Sequence, residues 1–214
     1  MRLVGIFGGT FNPIHFGHLR MAQELASVLA MDEVKFIPSA NPPHKDNVMV
    51  SAEHRSAMVK LAIADNPLFS LDELELNREG PSYTIDTLVS LRESLGQDTS
   101  LCLMMGSDAF VNLNTWCRWQ ELLDYAHIVL VQRPSAQPQE AFPTEVKALL
   151  RDHYTDQHAD LANENSGGII MQSITGQDIS ATGVRGMFGR GESVRYLVHD
   201  EVGSYIQQHH LYRQ

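Results

Sequence analysis

The sequence predicts an α/β fold, in which a doubly wound, Rossmann-like parallel sheet carries helices on both faces and a small helical portion ends the chain. One observation behind this prediction is a strand–helix–strand unit completed within residues 3–38, the spacing of a right-handed βαβ crossover. The other is that short apolar runs continue to alternate with helical periodicity beyond that unit. We therefore expect residues 1–214 to form one domain.

The N-terminal unit begins with a strand at Leu3–Phe7, which is apolar on both faces, as in the middle of a parallel sheet. Gly8 and Gly9 end this strand in a turn. Apolar residues then recur at three- and four-residue steps, which predicts a helix over residues 15–30. Glu33–Pro38 is the second predicted strand.

The rest of the chain continues the alternation. Further strands are predicted at Phe69–Leu76, Ser100–Met105, Ile128–Gln132 and Ile169–Ser173. Further helices are predicted over residues 51–65, 84–95, 140–153, 179–190 and 201–209. The polar stretch 134–168 is interpreted as a surface excursion in which helix 140–153 is exposed, and residues 179–214 are the C-terminal helical portion.

The composition is that of a globular, acidic chain. Of its 214 residues 43% are hydrophobic and 20% are charged, and the formal net charge is -10. Such a surface is a poor match for nucleic acid, which requires clustered Lys and Arg. It still permits anionic small molecules, because a few local donors bind a phosphate against an acidic background. We expect small-molecule partners and no nucleic acid.

The two cysteines and the lengths of the apolar runs indicate the cellular compartment of the protein. Cys102 and Cys117 stand in neither a Cys-x-x-Cys pair nor a zinc-like spacing, so we expect reduced thiols and a reducing compartment. The apolar N-terminal run is too short for a secretory leader, and no later run approaches the roughly 18 residues of a membrane span. The sequence therefore predicts a cytoplasmic protein without membrane attachment.

The glycine turn after the first strand is the first candidate site, because ligands of such sheets bind at the carboxyl ends of the strands. The turn matches neither Gly-x-Gly-x-x-Gly nor a Walker loop. His15 and His18 follow it, three residues apart at the start of a helix, where backbone N–H groups and the helix dipole favour anions. Two imidazoles converging there predict a phosphate site. A zinc pair would lack a third ligand at a suggestive spacing.

A second cluster begins at Ser180, a predicted N-cap, and continues with Thr182 and Arg185 in the first turns of a helix. Two hydroxyls and a guanidinium at a helix N-terminus suit phosphate oxygens, although ordinary capping explains the same residues. Because a first phosphate cluster is present in the same chain, we expect the two to bind a triphosphate from opposite sides.

Taken together, Gly8–Pro13 followed by His15 and His18, and later Ile179–Arg185, make the chain similar to the nucleotidyltransferases of the His-x-Gly-His superfamily. Within that superfamily the chain resembles the bacterial nicotinate-nucleotide adenylyltransferases. The resemblance runs nearly end to end and includes Pro42–Lys45, Ser82–Thr84, Gly106–Asp108, Trp116, Arg133–Pro134, Arg195–Leu197 and Leu211–Tyr212.

The resemblance implies that the adenylyl group of ATP is transferred to nicotinate mononucleotide, with Mg²⁺ carried on the ATP and no protein ligand for the metal. It implies that His15 and His18 are catalytic. The ATP-binding residues that it implies are Gly8, Gly9, Thr10, Phe11, His15, His18, Gly106, Asp108, Ser180, Thr182 and Arg185. The acceptor-binding residues that it implies are Asn12, Lys45, Thr84, Trp116 and Arg133.

Several alternatives remain open at this point. The acceptor is alternatively nicotinamide mononucleotide or phosphopantetheine, or the chain is a non-catalytic nucleotide sensor or a fragment of a class I synthetase. Trp116 either stacks on the acceptor ring or simply packs, and packing is the interpretation for Trp119. Arg55 either reaches phosphate or is a solvated residue on a helix surface. The chain is either a monomer or a homo-oligomer.

Overall fold

A computed structural model describes residues 1–42, 49–132 and 142–213 of the chain. Its strands are β1 Arg2–Gly9, β2 Glu33–Pro38, β3 Phe69–Leu71, β4 Thr99–Gly106, β5 His127–Gln132 and β6 Ile169–Ser173. They form one sheet in the order β3-β2-β1-β4-β5-β6, and every neighbouring pair is parallel. The strand order reverses between β1 and β4, as in a doubly wound fold. The predicted fold class is confirmed.

Helices connect the strands. They are α1 Phe16–Val28, α2 Ala52–Ile63, α3 Thr84–Leu95, α4 Ser107–Phe110, α5 Leu122–Tyr125, α6 Thr144–His153, α7 His158–Asn163, α8 Ala181–Gly189 and α9 Asp200–Gln208. Short 3-10 turns lie at Leu113–Thr115 and Trp119–Glu121. Within the described ranges, no helix combines the length and the hydropathy that crossing a membrane requires.

The sheet separates two apolar cores, because successive side chains of a strand point to opposite faces. In β1, Leu3 and Phe7 contribute to the core beneath α1, α2, α8 and α9, whereas Val4 and Ile6 contribute to the core beneath α3 and α5. All four side chains are buried. This two-sided burial explains why the strand is apolar throughout.

Two predicted elements differ from the structure. The strand predicted at Phe69–Leu76 ends at Leu71, because the Asp72 carboxylate accepts a hydrogen bond from the Leu74 N–H at 3.2 Å and turns the chain away from the sheet. The helix predicted to be exposed begins at Thr144 and buries one face, Val146 and Leu150, in the core beneath α3 and α5. The remaining residues of this helix are exposed or partly exposed, so the helix lies at the surface with one buried face.

Candidate active site

A cavity of about 370 Å³ opens at the carboxyl ends of β1 and β4, where the strand order reverses. Gly8, Gly9 and Thr10 line it from the end of β1, and Gly106 lines it from the end of β4. The segment that leads into α3 lines the other wall. In an open α/β sheet this position is the expected place for a nucleotide.

The three glycines at this edge differ in what surrounds them. A Cβ added to Gly8 or Gly106 would meet no described atom within 4 Å, so both backbones border open space in the cavity. A Cβ on Gly9 would lie 3.0 Å from the ring of Phe11. Gly9 is therefore required for the packing of Phe11, whereas Gly8 and Gly106 let a ligand approach the main chain.

Phe11 lies in the core although it was predicted to contact ATP. Its side chain is 3% exposed and meets Phe7 edge-on, with ring centroids 5.5 Å apart. The same ring meets His18 edge-on at 5.2 Å. Only the backbone of Phe11 is therefore placed to contact a nucleotide, and its ring supports the imidazole of His18.

The two histidines form one unit at the N-terminus of α1. His15 is the N-cap residue, and its backbone N–H donates to Nδ1 of His18 at 3.3 Å. The two rings stack with centroids 3.7 Å apart and 25° between their planes. His15 is 4% exposed and His18 is half-buried. Because Nδ1 of His18 accepts a hydrogen bond, the neutral ring carries its proton on Nε2.

Gly17 gives space to His15. A Cβ on Gly17 would lie 3.0 Å from Nδ1 and 3.1 Å from Cε1 of the His15 ring, and 3.5 Å from the carbonyl oxygen of Ile179. Any larger residue would therefore push the stacked imidazole out of place. The Ile179 carbonyl therefore lies close to Gly17, which places the second cluster beside the start of α1.

The second cluster meets the glycine turn directly. Ser180 caps α8, as predicted, because its Oγ accepts from the Gly183 N–H at 3.1 Å. Arg185 donates through Nη1 to the carbonyl of Asn12 at 2.7 Å and through Nη2 to Thr182 Oγ1 at 3.1 Å. Two motifs 173 residues apart in sequence are thus joined by one hydrogen bond.

Arg55 matches neither of its two interpretations, since it is a buried structural residue with 1% exposure. Its guanidinium donates to the carbonyls of Thr10 at 2.7 Å, Ala40 at 3.2 Å and Val50 at 3.3 Å. Desolvation lowers the pKa of Arg55. The side chain ties the glycine turn to both flanks of the segment that carries Lys45, a residue that lies outside the described residues.

The acceptor residues are placed as follows. Thr84 and Trp116 line the cavity together, while Arg133 lies outside the described residues. Trp116 also packs against the core beneath α3, so packing and cavity lining are both observed. Trp119 packs against the same core and does not line the cavity.

Asp108, which was predicted to bind ATP, is exposed in the first turn of α4, two residues after Gly106. It is not among the residues that line the cavity.

Glu75 is a cavity residue that the sequence analysis missed. It is buried, lines the cavity and accepts a hydrogen bond from Thr87 Oγ1 at 2.6 Å. Burial raises the pKa of Glu75, while the hydroxyl of Thr87 opposes that shift. Glu75 lies in the alternating segment Phe69–Leu76, which predicted a strand. The local sequence therefore did not indicate that its carboxyl group is buried in a cavity.

The model of the cytidylyltransferase-like family matches residues 6–187 of the chain. A probable nicotinate-nucleotide adenylyltransferase of Aeromonas hydrophila is 48% identical over 210 residues, covering 98% of this chain and 97% of its own length. A protein of the same description from Pseudomonas aeruginosa is 45% identical over the same share of both chains. The chain belongs to the nicotinate-nucleotide adenylyltransferase family.

A solved structure of another adenylyltransferase shares the fold. The Plasmodium falciparum nicotinic acid mononucleotide adenylyltransferase complexed with NaAD superposes with a TM-score of 0.76. It is 16% identical, and the match covers 99% of this chain and 98% of the Plasmodium chain. Among the residues that the structure describes, no group of three or more His, Cys, Asp or Glu side chains could hold a metal ion.

Proposed function

We propose that this chain transfers the adenylyl group of ATP to the phosphate of nicotinate mononucleotide, releasing pyrophosphate and forming the deamido dinucleotide. The observation that carries the proposal is the junction of two helix N-termini, those of α1 and α8, beside a cavity at the reversal of strand order. Both ends present N–H groups and donor side chains to anions. The names of the relatives support the same reaction.

The chemistry requires little beyond positioning and charge stabilisation. An acceptor phosphate oxygen attacks the α-phosphorus of ATP, a P–O bond forms, and the bond from the α-phosphorus to the bridging oxygen of pyrophosphate breaks. Because a phosphate monoester has its second pKa at about 6, the attacking group is already ionised near neutral pH. No strong general base is needed, and preorganised donors account for the rate.

In this proposal His18 donates to the α-phosphate from Nε2, and the buried ring of His15 keeps the His18 imidazole in place by stacking. The backbones at Gly8 to Phe11 take phosphate oxygens on the side of β1. Ser180, Thr182 and Arg185 take the outer phosphates from the N-terminus of α8. Gly106 and Asp108 contact the adenosine from the end of β4.

The acceptor occupies the part of the cavity between α3 and Trp116. Trp116 stacks on the pyridine ring, and Asn12, Lys45 and Arg133 bind its phosphate. The N-cap of α3, Tyr83, makes no side-chain hydrogen bond to the first turn, and Tyr83 and Thr84 both line the cavity, so the first turn of α3 borders the cavity with its N–H groups uncapped by a side chain. Uncapped N–H groups suit a carboxylate better than an amide, which supports the acid as acceptor.

A divalent cation completes the substrate. We propose that Mg²⁺ arrives bound to the triphosphate, because Mg²⁺ keeps several waters and needs few protein carboxylates. We also propose that residues 1–214 act as a single nucleotidyltransferase domain in the cytoplasm, which the two free thiols, buried Cys102 and exposed Cys117, support.

The reaction is tested with ATP labelled in its α-phosphate, supplied with Mg²⁺ and nicotinate mononucleotide. The proposal expects the label in a dinucleotide and unlabelled pyrophosphate in equal amount. Label that stays in ATP although ATP binds would support a nucleotide sensor instead.

A further inference from the structure

The third residue from the end of the chain reaches the glycine turn. Tyr212 is 5% exposed, and its hydroxyl donates to Oδ1 of Asn12 at 2.5 Å across 200 residues of sequence. Its ring packs beside Phe188 of α8, with centroids 6.2 Å apart. The C-terminal helical portion therefore contacts the turn through this phenol in addition to the guanidinium of Arg185.

The phenol stays protonated and so remains a donor. Burial raises the pKa of Tyr212, although the guanidinium groups of Arg185 and Arg55 act in the opposite direction. A protonated hydroxyl that donates to Oδ1 defines the orientation of the Asn12 amide, since Oδ1 and Nδ2 lie on opposite branches. Nδ2 makes no hydrogen bond to the part of the chain that the structure describes.

The main chain of Asn12 is held as firmly as its side chain. Arg185 donates to its carbonyl at 2.7 Å, and two residues earlier Arg55 donates to the carbonyl of Thr10 at 2.7 Å. With its carbonyl and Oδ1 both engaged, the remaining polar atom of the Asn12 side chain, Nδ2, is an oriented amide donor in the glycine turn. An oriented donor costs no reorganisation when a charged ligand binds.

We propose that Tyr212 is a positioning residue of the adenylyl-transfer site, which orients the Asn12 amide so that Nδ2 donates to a phosphate oxygen of the acceptor. The inference rests on the proposed function, in which Asn12 belongs to the acceptor site. It assigns to the C-terminal end a role in substrate binding in addition to its role in packing.

The test is Tyr212→Phe in the full chain, which keeps the ring beside Phe188 and removes only the hydroxyl. We expect kcat/KM for nicotinate mononucleotide to fall roughly tenfold, since one hydrogen bond is lost and the donor is no longer oriented. The KM for ATP should stay within roughly twofold, and the melting temperature should fall by only a few degrees, since a single hydrogen bond is lost. Tyr205→Phe is the matched control, because it removes a hydroxyl of the same C-terminal portion that contacts His54 Nδ1 at 2.9 Å.

A double-mutant cycle with Asn12→Ala separates positioning from general stability. If Tyr212 acts through Asn12, then Tyr212→Phe changes nothing further in the Asn12→Ala background. Parental kinetics of Tyr212→Phe, or an equal loss for both substrates that adds to the loss from Asn12→Ala, would overturn the inference.

Calorimetric binding of nicotinate mononucleotide is measured alongside, with an unreactive ATP analogue present. A parent chain that binds the acceptor but forms no dinucleotide contradicts the proposed function, while a roughly tenfold weaker affinity of Tyr212→Phe still supports the positioning role. A parent chain that does not bind the acceptor overturns both.

Discussion

The imidazole rings of His15 and His18 stack with centroids 3.7 Å apart, and the backbone N–H of His15 donates to Nδ1 of His18. This relationship fixes both the plane and the tautomer of the ring that faces the phosphate site. It depends on a third residue, since the His15 ring lies where a side chain at position 17 would be. The stack therefore explains the glycine between the two histidines.

Replacing Gly17 by Ala should lower kcat by roughly tenfold or more, because a Cβ 3.0 Å from the His15 ring displaces the stacked pair. Steady-state kinetics and thermal unfolding measure the effect. The control is Gly203→Ala in α9, where the nearest atom would be 3.8 Å away and Ala is the better helix former. Equal activity of the two variants would contradict the account of the stack.

His18→Ala should reduce kcat by roughly a hundred- to a thousandfold, which corresponds to about 3–4 kcal/mol of lost transition-state stabilisation. The reason is that a preorganised donor to the α-phosphate disappears. Turnover is measured at saturating substrates, with circular dichroism to verify folding. His158→Ala, at an exposed position on α7, should be indistinguishable from the parent. A folded His18→Ala enzyme with near-normal turnover would refute the assignment.

Trp116→Ala should raise the KM for the acceptor by roughly tenfold and leave that for ATP almost unchanged, because stacking on an aromatic ring is worth about 1–3 kcal/mol. Initial rates with each substrate varied in turn give both constants. Trp119→Ala removes an indole that packs against the same core without lining the cavity. Trp119→Ala should lower the free energy of unfolding and leave both KM values similar to those of the parent. If Trp116→Ala raised the KM for the acceptor and the KM for ATP equally, Trp116 would have a packing role alone.

Arg55→Met should destabilise the fold by about 3 kcal/mol, because each buried carbonyl left without a partner costs about 1–3 kcal/mol. The three carbonyls concerned are those of Thr10, Ala40 and Val50. Urea unfolding gives the free energy of unfolding. Lys60→Met, on the exposed side of the same helix, should change it little. If the two variants unfolded at the same urea concentration, Arg55 would not hold the turn.

The sheet was predictable because its central strands are buried on both faces and read as uninterrupted apolar runs. β2 begins and ends at the predicted residues Glu33 and Pro38. β3 was not predictable, since its alternation continues beyond Leu71 and only the hydrogen bond of Asp72 to the following backbone ends it. Local periodicity indicates the element, and a tertiary or turn contact decides where it stops.

In the candidate site, the positions of the two predicted phosphate clusters at helix starts were predictable from the sequence, and the junction between them was not. Arg185 and Asn12 are 173 residues apart, and nothing local records their hydrogen bond. The same holds for Arg55, which lies on a helix whose pattern gives no sign that the guanidinium is buried under three carbonyls. Nor does the local sequence show that the His15 ring occupies the space beside Gly17.

The most direct test of the central claim compares nicotinate mononucleotide with nicotinamide mononucleotide as acceptors, by pyrophosphate release with Mg-ATP under identical conditions. The uncapped N–H groups at the start of α3 should favour the carboxylate, so we expect kcat/KM for the acid to exceed that for the amide by roughly a hundredfold. Equal values, or a preference for the amide, would contradict the account of the acceptor site. An absence of pyrophosphate release with both would contradict adenylyl transfer itself.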